Sequence, residues 1–200
     1  MFELIVVRHG QTDWNIQGQK RVMGRRPIPL NDEGRRQATA AASALAGVPL
    51  AAVYTSPVVR ARETAQCILN GRDGIPLIEE EGLAEINYGD WLDKTLEEIM
   101  ATEAWLTYWE RGRESAVPGG ERVIDVQARA VGVVKRARAR YCDGVVCCVS
   151  HADVIKALCA YYLCLDLNQW QSFKIDNGSI SVIRFEPDRP RIFRLNAYGY

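Results

Sequence analysis

The two histidines of the sequence, His9 and His151, each follow an apolar run of the kind that forms a buried strand. Residues 4–7 lead into Arg8 and His9, and residues 145–149 lead into Ser150 and His151. Ligands of open α/β sheets bind beyond the carboxyl ends of the strands, so we expect these two side chains to meet there. A single histidine is more often a surface or satisfied core residue, so the interpretation depends on what accompanies the pair.

Two arginines accompany the histidines. Arg8 precedes His9, and Arg60 falls in the first turn of a helix predicted to follow Ser56-Pro57. Helix N-termini offer unpaired amides and the positive end of a dipole, both of which favour an anion. A guanidinium grips two phosphate oxygens at once and stays charged at any working pH. The group as a whole predicts a phosphate site, although Arg60 alone would suit a solvated helix face.

Composition limits the class of protein. Two hundred residues, 48% of them hydrophobic and 25% charged, predict one globular domain with a substantial core. Since 25 Lys and Arg balance 25 Asp and Glu, no overall field favours nucleic acid or an anionic membrane as a partner. Neither a signal-like start nor a run of about 18 apolar residues is found, which predicts a cytoplasmic location. The six cysteines are expected to be reduced, and their spacing predicts no zinc site.

Strand and helix patterns alternate along the chain without a linker, repeat or low-complexity segment. The predicted strands are 3–8, 51–55, 75–79 and 145–150, and the predicted helices are 32–46, 57–70, 95–111, 123–140 and 153–164. Asn31 and Ser56 are expected as N-caps, with Pro57 in the first helical position. Residues 173–185, interrupted by Asn177-Gly178, predict a terminal hairpin whose exposed edge could pair in a homodimer. The sum is an α/β fold with a mostly parallel central sheet.

Four motifs in chain order resemble those of the histidine phosphatase superfamily, which contains the cofactor-dependent phosphoglycerate mutases. They are residues 6–15 around Arg8-His9-Gly10, residues 56–65 around Arg60, residues 83–91 around Glu85 and residues 149–156 around His151. Segments 24–38 and 119–121 agree as well, so the resemblance spans nearly the whole chain. It implies a three-layer α/β/α sandwich in a single domain, residues 1–200, with about 91–120 as a helical, lid-like insertion.

The chemistry that this resemblance implies is a two-step phosphoryl transfer. His9 would attack phosphorus and become phosphohistidine, while Arg8, Arg60 and His151 stabilise the equatorial oxygens. Glu85 would protonate the departing alkoxide and later activate water. No metal or other cofactor is expected, because cationic side chains can supply the charge that magnesium supplies in other phosphoryl-transfer enzymes.

Further positions of the motifs are expected near the phosphate. Asn15 would donate its amide to a phosphate oxygen, and Gln11 and Thr12 are weaker candidates, since each could equally serve the turn. Ala152 stands where a glycine often follows the second histidine, and its methyl would narrow the approach to the phosphate. Pro27 stands where many members carry an aspartate, at a position without chemistry.

Both reactive side chains need unusual protonation. His9 must be neutral to act as a nucleophile, which the flanking arginines favour, and its other ring nitrogen needs an acceptor. Glu85 must hold a proton near neutrality, a shift of about two pKa units that a bound phosphate would provide. Without its motif, Glu85 would be interpreted as one more solvated carboxylate after Glu79, Glu80 and Glu81.

Three functions remain open at this point. Hydrolysis of a small phosphomonoester is favoured, because residues 91–120 lack the adjacent arginine pair with which the mutases bind the substrate carboxylate. A mutase and a catalytically silent phosphate-binding or interaction module are the alternatives. The same stretch contains Trp91, Trp105, Tyr108 and Trp109 with Arg111 and Arg113, and these aromatic residues suit either a lid over a partly apolar pocket or ordinary helix core.

Overall fold

Six strands form a mixed sheet that positions the motifs. The computed structural model describes residues 1–16, 21–110 and 116–200, without the side chains of Trp109 and Glu110. The strands are β1 (Phe2–Arg8), β2 (Leu50–Thr55), β3 (Leu77–Glu79), β4 (Val145–Ser150), β5 (Ile180–Phe185) and β6 (Pro190–Ala197). Their order is β3-β2-β4-β1-β5-β6. The first four in this order are parallel, and β5 and β6 are antiparallel additions at one edge, so the mostly parallel sheet is confirmed.

Helices cover both faces of this sheet. They are α1 (Asp32–Ala44), α2 (Val59–Leu69), α3 (Leu96–Met100), α4 (Glu103–Glu110), α5 (Val123–Arg140) and α6 (Ala152–Tyr162). Side chains alternate along β1: Ile5 and Val7 pack with α1 and α2, whereas Leu4 and Val6 pack with α5 and α6. The three-layer α/β/α sandwich is therefore confirmed.

The predicted helix 95–111 is wrong as a single element. Thr95 caps α3 through a capping box with Glu98, and the helix ends after one turn and a half at Met100. The hydroxyl and the amide of Thr102 both bond the carbonyl of Ile99, which closes a tight turn. Because that turn interrupts the helical bonding, α4 begins afresh at Glu103. Residues 111–115, with Arg111 and Arg113, and the side chain of Trp109 lie outside the described residues.

The predicted terminal hairpin is also wrong in its position. Asn177-Gly178 lies before β5, and the hairpin is made by β5 and β6. The turn instead serves the end of β1, since the Gly178 amide and the Asn177 side-chain amide donate to the carbonyls of Arg8 and His9. Gly178 has a φ of 71°, a conformation that favours glycine. The Asn177-Gly178 turn therefore contacts residues distant in the sequence instead of joining two adjacent strands.

The expected caps have different outcomes. Asn31 accepts the amide of Gly34 and caps α1, as predicted. Ser56 does not cap α2, which begins at Val59 with Val58 in the cap position. The Ser56 hydroxyl accepts the Val58 amide in a turn that precedes the helix, and it also contacts His151.

Within the described ranges, none of the helices combines the length and the apolar character that a bilayer crossing requires.

Candidate active site

The parallel strands β1, β2 and β4 end at the same edge of the sheet, and each is followed by one of the motifs. His9 follows β1, Arg60 lies in the first turn of α2 after β2, and His151 follows β4 as the N-cap of α6. The imidazole rings of His9 and His151 have centroids 5.0 Å apart. Arg60 contacts both rings. The sequence prediction that these side chains meet is therefore confirmed.

The tautomer of His9 is set by its neighbours. Nδ1 lies 2.7 Å from the carbonyl oxygen of Gly10, which can only accept, so Nδ1 carries the proton. Nε2 accepts a hydrogen bond from Nε of Arg60 at 3.1 Å. The lone pair of Nε2 therefore faces the guanidinium.

His9 is held neutral. Burial is the largest cause that keeps its pKa well below the ordinary 6.5, and the guanidinium groups of Arg60 and Arg8 add to it. The side chain is 1% exposed. A neutral imidazole whose Nε2 carries no proton is what a nitrogen nucleophile requires.

Arg60 is anchored inside the protein by backbone carbonyls. Its guanidinium donates to the carbonyls of Gly24, at 2.8 Å, and Arg26, at 3.2 Å, in addition to its contacts with the two rings. Gly24 has a φ of 49°, which a residue with a Cβ rarely adopts, and its turn presents the carbonyl to Arg60. Burial lowers the pKa of Arg60 to about 10, so it remains a cation at neutral pH.

His151 occupies the centre of the cluster with no exposed surface. A terminal nitrogen of Arg60 lies 3.2 Å from Nδ1, which must accept, so Nε2 carries the proton toward the Ser56 hydroxyl at 2.8 Å. Burial, followed by Arg60, holds the pKa of His151 well below its ordinary value. Because His151 is neutral near pH 7, its 3.7 Å approach to Glu85 is not an ion pair.

Arg8 supplies an unused donor. One terminal nitrogen donates to the carbonyl of Ile175 at 2.7 Å. Its Nε is buried and has no hydrogen-bond partner in the part of the chain that the structure describes. Buried guanidinium nitrogens are almost always paired, so this donor is available for an anionic ligand in the cavity.

Glu85 follows a short 3₁₀ turn, residues 81–83, and faces the same cavity. Burial, with a smaller contribution from the Asp153 carboxylate, raises the pKa of Glu85 to about 7, although Arg60 and Arg8 oppose the shift. The side chain is buried, unlike the solvated carboxylate that its neighbours in the sequence would suggest. Burial thus supplies the increase in pKa that was expected from a bound phosphate.

Glu85→Gln is expected to stabilise the fold at pH 8 by roughly 3 kcal/mol and to have little effect at pH 4.5. The pKa of about 7 in the folded chain lies above the value of about 4.3 expected after unfolding. The stability that this carboxyl contributes is therefore full below the lower value and is lost as pH rises through 7. Urea unfolding of both proteins at the two pH values measures the difference, and an equal difference at both would contradict the raised pKa.

The backbone of Glu85 is braced by residues that the motifs did not single out as functional. Arg129 and Arg25 both donate to the Glu85 carbonyl and to the carboxylate of Glu121. Glu121 also accepts the amide of Asn87 at 2.7 Å. In the sequence, Glu121 was noted only because residues 119–121 match the family pattern. That match did not indicate that Glu121 and the two arginines hold the backbone of Glu85 in place.

The remaining predicted site residues separate into two groups. Asn15 and Ala152 line the cavity. Gln11 and Thr12 do not: the Gln11 side chain accepts from Asn31, and the buried Thr12 hydroxyl donates to the side-chain oxygen of Asn15. In this structure Gln11 and Thr12 therefore stabilise the loop and do not line the cavity.

The cavity has a volume of about 500 Å³. Its polar lining includes Arg8, His9, Glu85 and Asp153, with Arg21 and Gln171 among the other lining residues. The apolar and aromatic lining is made by Val22, Met23, Tyr88, Trp91, Leu96, Ile99, Met100, Trp105 and Tyr108. α3 and α4 thus cover a partly apolar pocket, and Trp91 and Tyr108 are at the same time buried core residues. Across the described ranges, no group of three His, Cys, Asp or Glu side chains is arranged to hold a metal ion.

Comparison with known proteins assigns the family. The sequence profile of the histidine phosphatase superfamily (branch 1) matches residues 4–198. The chain belongs to this superfamily. Phosphoserine phosphatase 1 from Hydrogenobacter thermophilus is 33% identical to this histidine phosphatase over 198 residues, which are 98% of this chain and 92% of that protein. The solved structure of YhfR from Bacillus stearothermophilus matches with a TM-score of 0.91 at 33% identity, covering 98% of both chains.

A mutase is also similar to this histidine phosphatase, over a shorter stretch. The 2,3-bisphosphoglycerate-dependent phosphoglycerate mutase 2 of Gloeobacter violaceus is 35% identical over 132 residues, which are 64% of this chain and 59% of that protein. The similarity to the phosphoserine phosphatase covers the chain almost from end to end. The relatives therefore support a phosphoric monoester hydrolase and favour it over the mutase alternative.

Proposed function

We propose that the protein hydrolyses small phosphomonoesters through a phosphohistidine on His9, without a metal ion. The observation that carries the proposal is the state of His9: neutral, protonated on Nδ1 by its contact with Gly10, and with Nε2 facing a buried guanidinium. The similarity to a phosphoserine phosphatase over nearly the whole chain supports phosphomonoester hydrolysis.

In the first step, Nε2 of His9 forms a bond to phosphorus while the ester P–O bond breaks. The Nε–H of Arg60 lies on the lone pair of Nε2, so the guanidinium must turn its donor onto a phosphate oxygen as the substrate enters. The unpaired Nε of Arg8 donates to a second oxygen. A phosphate dianion beside His151 favours its imidazolium form, which then donates as well. These cations stabilise the charge that is spread over the equatorial oxygens.

Glu85 manages the protons of both steps. With a pKa of about 7, it is protonated in about half of the molecules at neutral pH and can protonate the departing alkoxide. The carboxylate that remains then takes a proton from a water molecule whose oxygen attacks phosphorus. The P–N bond breaks, inorganic phosphate leaves, and both His9 and Glu85 return to their starting states.

Glu85→Gln is expected to slow hydrolysis of alkyl phosphates roughly 10²- to 10⁴-fold and that of p-nitrophenyl phosphate much less. An alkoxide needs the proton of Glu85, whereas nitrophenolate leaves without one. For alkyl esters the wild-type rate of the first step should fall as pH rises through about 7, because the acid is then lost. Single-turnover rates for both esters across pH measure this, and an equal loss for both would remove Glu85 from the role of acid.

The other predicted positions have supporting roles in this proposal. Asn15 and the N-terminus of α6 at Ala152 contact the phosphate from the cavity wall, and Gln11 and Thr12 hold the loop that presents Asn15. Within the 91–120 segment of a single domain, α3 and α4 act as a cover over the cavity. We expect the enzyme in the cytoplasm without nucleic-acid partners, and the exposed edge of β6 is where a second copy would pair in a homodimer.

The experiment follows phosphate release in EDTA from phosphoserine, 3-phosphoglycerate and glycerol 3-phosphate. Formation of 2-phosphoglycerate is followed in the same samples with 2,3-bisphosphoglycerate added. Release that persists in EDTA, with little isomerisation, is the expected result. Fast isomerisation with little release would make the protein a mutase, and phosphate or vanadate binding without turnover would make it a silent module.

A further inference from the structure

Asp153 is a carboxylate in the active-site cavity that the proposed mechanism does not use. It is the second residue of α6 and lines the cavity together with Glu85. The Tyr88 hydroxyl donates to its Oδ2, and the amide of Gln171 lies 3.4 Å from its Oδ1. Burial and then Asp153 itself keep the pKa of Tyr88 well above its ordinary value, so this donor stays protonated. Asp153 is therefore fixed in one position at the cavity wall.

Among the described residues, Lys156 is the cation within ion-pair distance of Asp153. Nζ of Lys156 is 3.6 Å from Oδ1, one helical turn further along α6. Lys156 also bonds the side chain of Gln171 and lies over the ring of Trp170, a buried residue. Asp153 is among the cavity-lining residues and Lys156 is not. The pair consequently presents its negative end to a ligand.

The charges along the described part of the cavity wall are unevenly divided. Arg8 is committed to the phosphate in the proposed mechanism. Arg21 lies on the exposed rim, where it donates to the carbonyl of Asp93 at 2.9 Å. Asp153 lines the same cavity as Glu85 and the apolar side chains of the cover, including Leu96, Ile99 and Trp105. Among the described residues, the fixed carboxylate of Asp153 and these apolar side chains are therefore available to contact a leaving group.

We propose that Asp153 is a specificity-determining residue that rejects leaving groups bearing a carboxylate, so that the substrates are phosphomonoesters of carboxylate-free alcohols with an apolar body. Bringing a second anion to Asp153 costs energy through like-charge repulsion, whereas a hydroxyl or amine of the leaving group can donate to it. The apolar wall stabilises a ring or alkyl body by burying it. This inference rests on the proposed phosphatase activity and narrows its substrate class.

The test uses two substrate pairs that differ in one carboxylate. O-Phosphoethanolamine is phosphoserine without its carboxylate, and glycerol 3-phosphate carries a hydroxymethyl group in place of the carboxylate of 3-phosphoglycerate. In the wild type, kcat/KM should be about tenfold or more higher for the carboxylate-free member of each pair. Asp153→Asn keeps the shape and an acceptor for Tyr88 and should shrink that ratio about tenfold, chiefly by raising kcat/KM for the carboxylated esters.

The ratio of kcat/KM within each substrate pair is insensitive to an indirect effect of Asp153→Asn on Glu85. Asp153 contributes to the raised pKa of Glu85, so its replacement alters the acid as well. Both members of a pair use the same acid at the same pH, so this change cancels in their ratio. Thermal unfolding of Asp153→Asn checks that the variant is folded.

A second variant tests the apolar wall independently. Trp105→Ala is expected to lower kcat/KM for benzyl phosphate roughly five- to tenfold and that for ethyl phosphate less than about twofold, as expected for a lost aromatic contact. An equal loss for both esters would contradict the assignment of this wall to the leaving group.

Three outcomes overturn the inference in distinguishable ways. Phosphate release from all four paired esters at similar kcat/KM, or a ratio that Asp153→Asn leaves unchanged, refutes the inference and leaves the proposed function standing. A preference for carboxylated esters that Arg21→Gln abolishes would show that the rim guanidinium, not Asp153, selects the substrate. Absence of release from every ester would overturn the proposed function and this inference together.

Discussion

His9→Ala is expected to lower phosphate release from every phosphomonoester by roughly 10⁴-fold or more, the order of loss that follows removal of a covalent nucleophile. The loss should be the same for alkyl and aryl esters, because the attacking nitrogen is gone whichever group departs. His151 is the other imidazole of the cluster, and it is not positioned to replace His9 as the nucleophile. Its protonated nitrogen, Nε2, faces the Ser56 hydroxyl. Phosphate release under single-turnover conditions measures the effect.

Rescue by free imidazole is the control for a change in shape. The space left by His9→Ala is buried and still lined by Arg60 and Arg8. Added imidazole should restore part of the activity, with phosphoimidazole as the first product. Activity of His9→Ala within tenfold of the wild type would contradict the assignment of His9 as the nucleophile.

Arg60→Ala is the second large effect, a loss of roughly 10³- to 10⁵-fold, as expected for an arginine that stabilises a transferring phosphoryl group. The pH profile should change as well. Arg60 lowers the pKa of His9, so its removal raises that pKa, and the fall in activity on acidification should begin at a higher pH. Arg60→Lys keeps the charge but not the planar fork that reaches both rings and two carbonyls, and should recover little of the rate.

Arg62 provides the matched control for Arg60. It lies two residues further along α2, with 44% of its side chain exposed and a 3.4 Å ion pair to Glu79. Surface pairs of this kind contribute about 1 kcal/mol or less, so Arg62→Ala should alter phosphate release less than about twofold. An equal loss of phosphate release in Arg60→Ala and Arg62→Ala would show that these arginines of α2 stabilise the fold rather than take part in catalysis.

The cluster around His9 was predictable because its members follow from local patterns. Apolar runs that end in Arg8-His9 and Ser150-His151 place both histidines at strand ends, and parallel strands bring such ends to one edge. What the sequence did not reveal is how Arg60 is held, since the carbonyls of Gly24 and Arg26 come from a loop that has no strand or helix pattern.

The placement of Glu85 depends on contacts that are distant in the sequence. Ser150 donates to the carbonyl of Leu83 at 2.7 Å, and Arg129 reaches the Glu85 carbonyl from α5. The spacing of residues 79–91 does not predict these hydrogen bonds, because their donors lie elsewhere in the sequence. For this reason the motif predicted the role of acid for Glu85, whereas its burial, which raises its pKa, became evident from the structure alone.

The two wrong elements show how tertiary contacts override local signals. Asn177-Gly178 is a strong hairpin signal, yet its donors are used by the carbonyls of Arg8 and His9 at the end of β1. Thr102 suits a helix interior poorly, and its bonds to Ile99 divide the predicted helix so that α3 and α4 can both face the cavity.

Trapping the phosphorylated enzyme tests the central claim most directly. Wild type and His9→Ala are mixed with radiolabelled p-nitrophenyl phosphate, quenched in alkaline detergent within the first turnover, and digested to locate the label. We predict one labelled site in the wild type, on the peptide that contains His9, stable to alkali and lost in acid as a P–N bond requires, and no label in His9→Ala. Label that survives acid, maps to another residue or persists in His9→Ala would contradict the account.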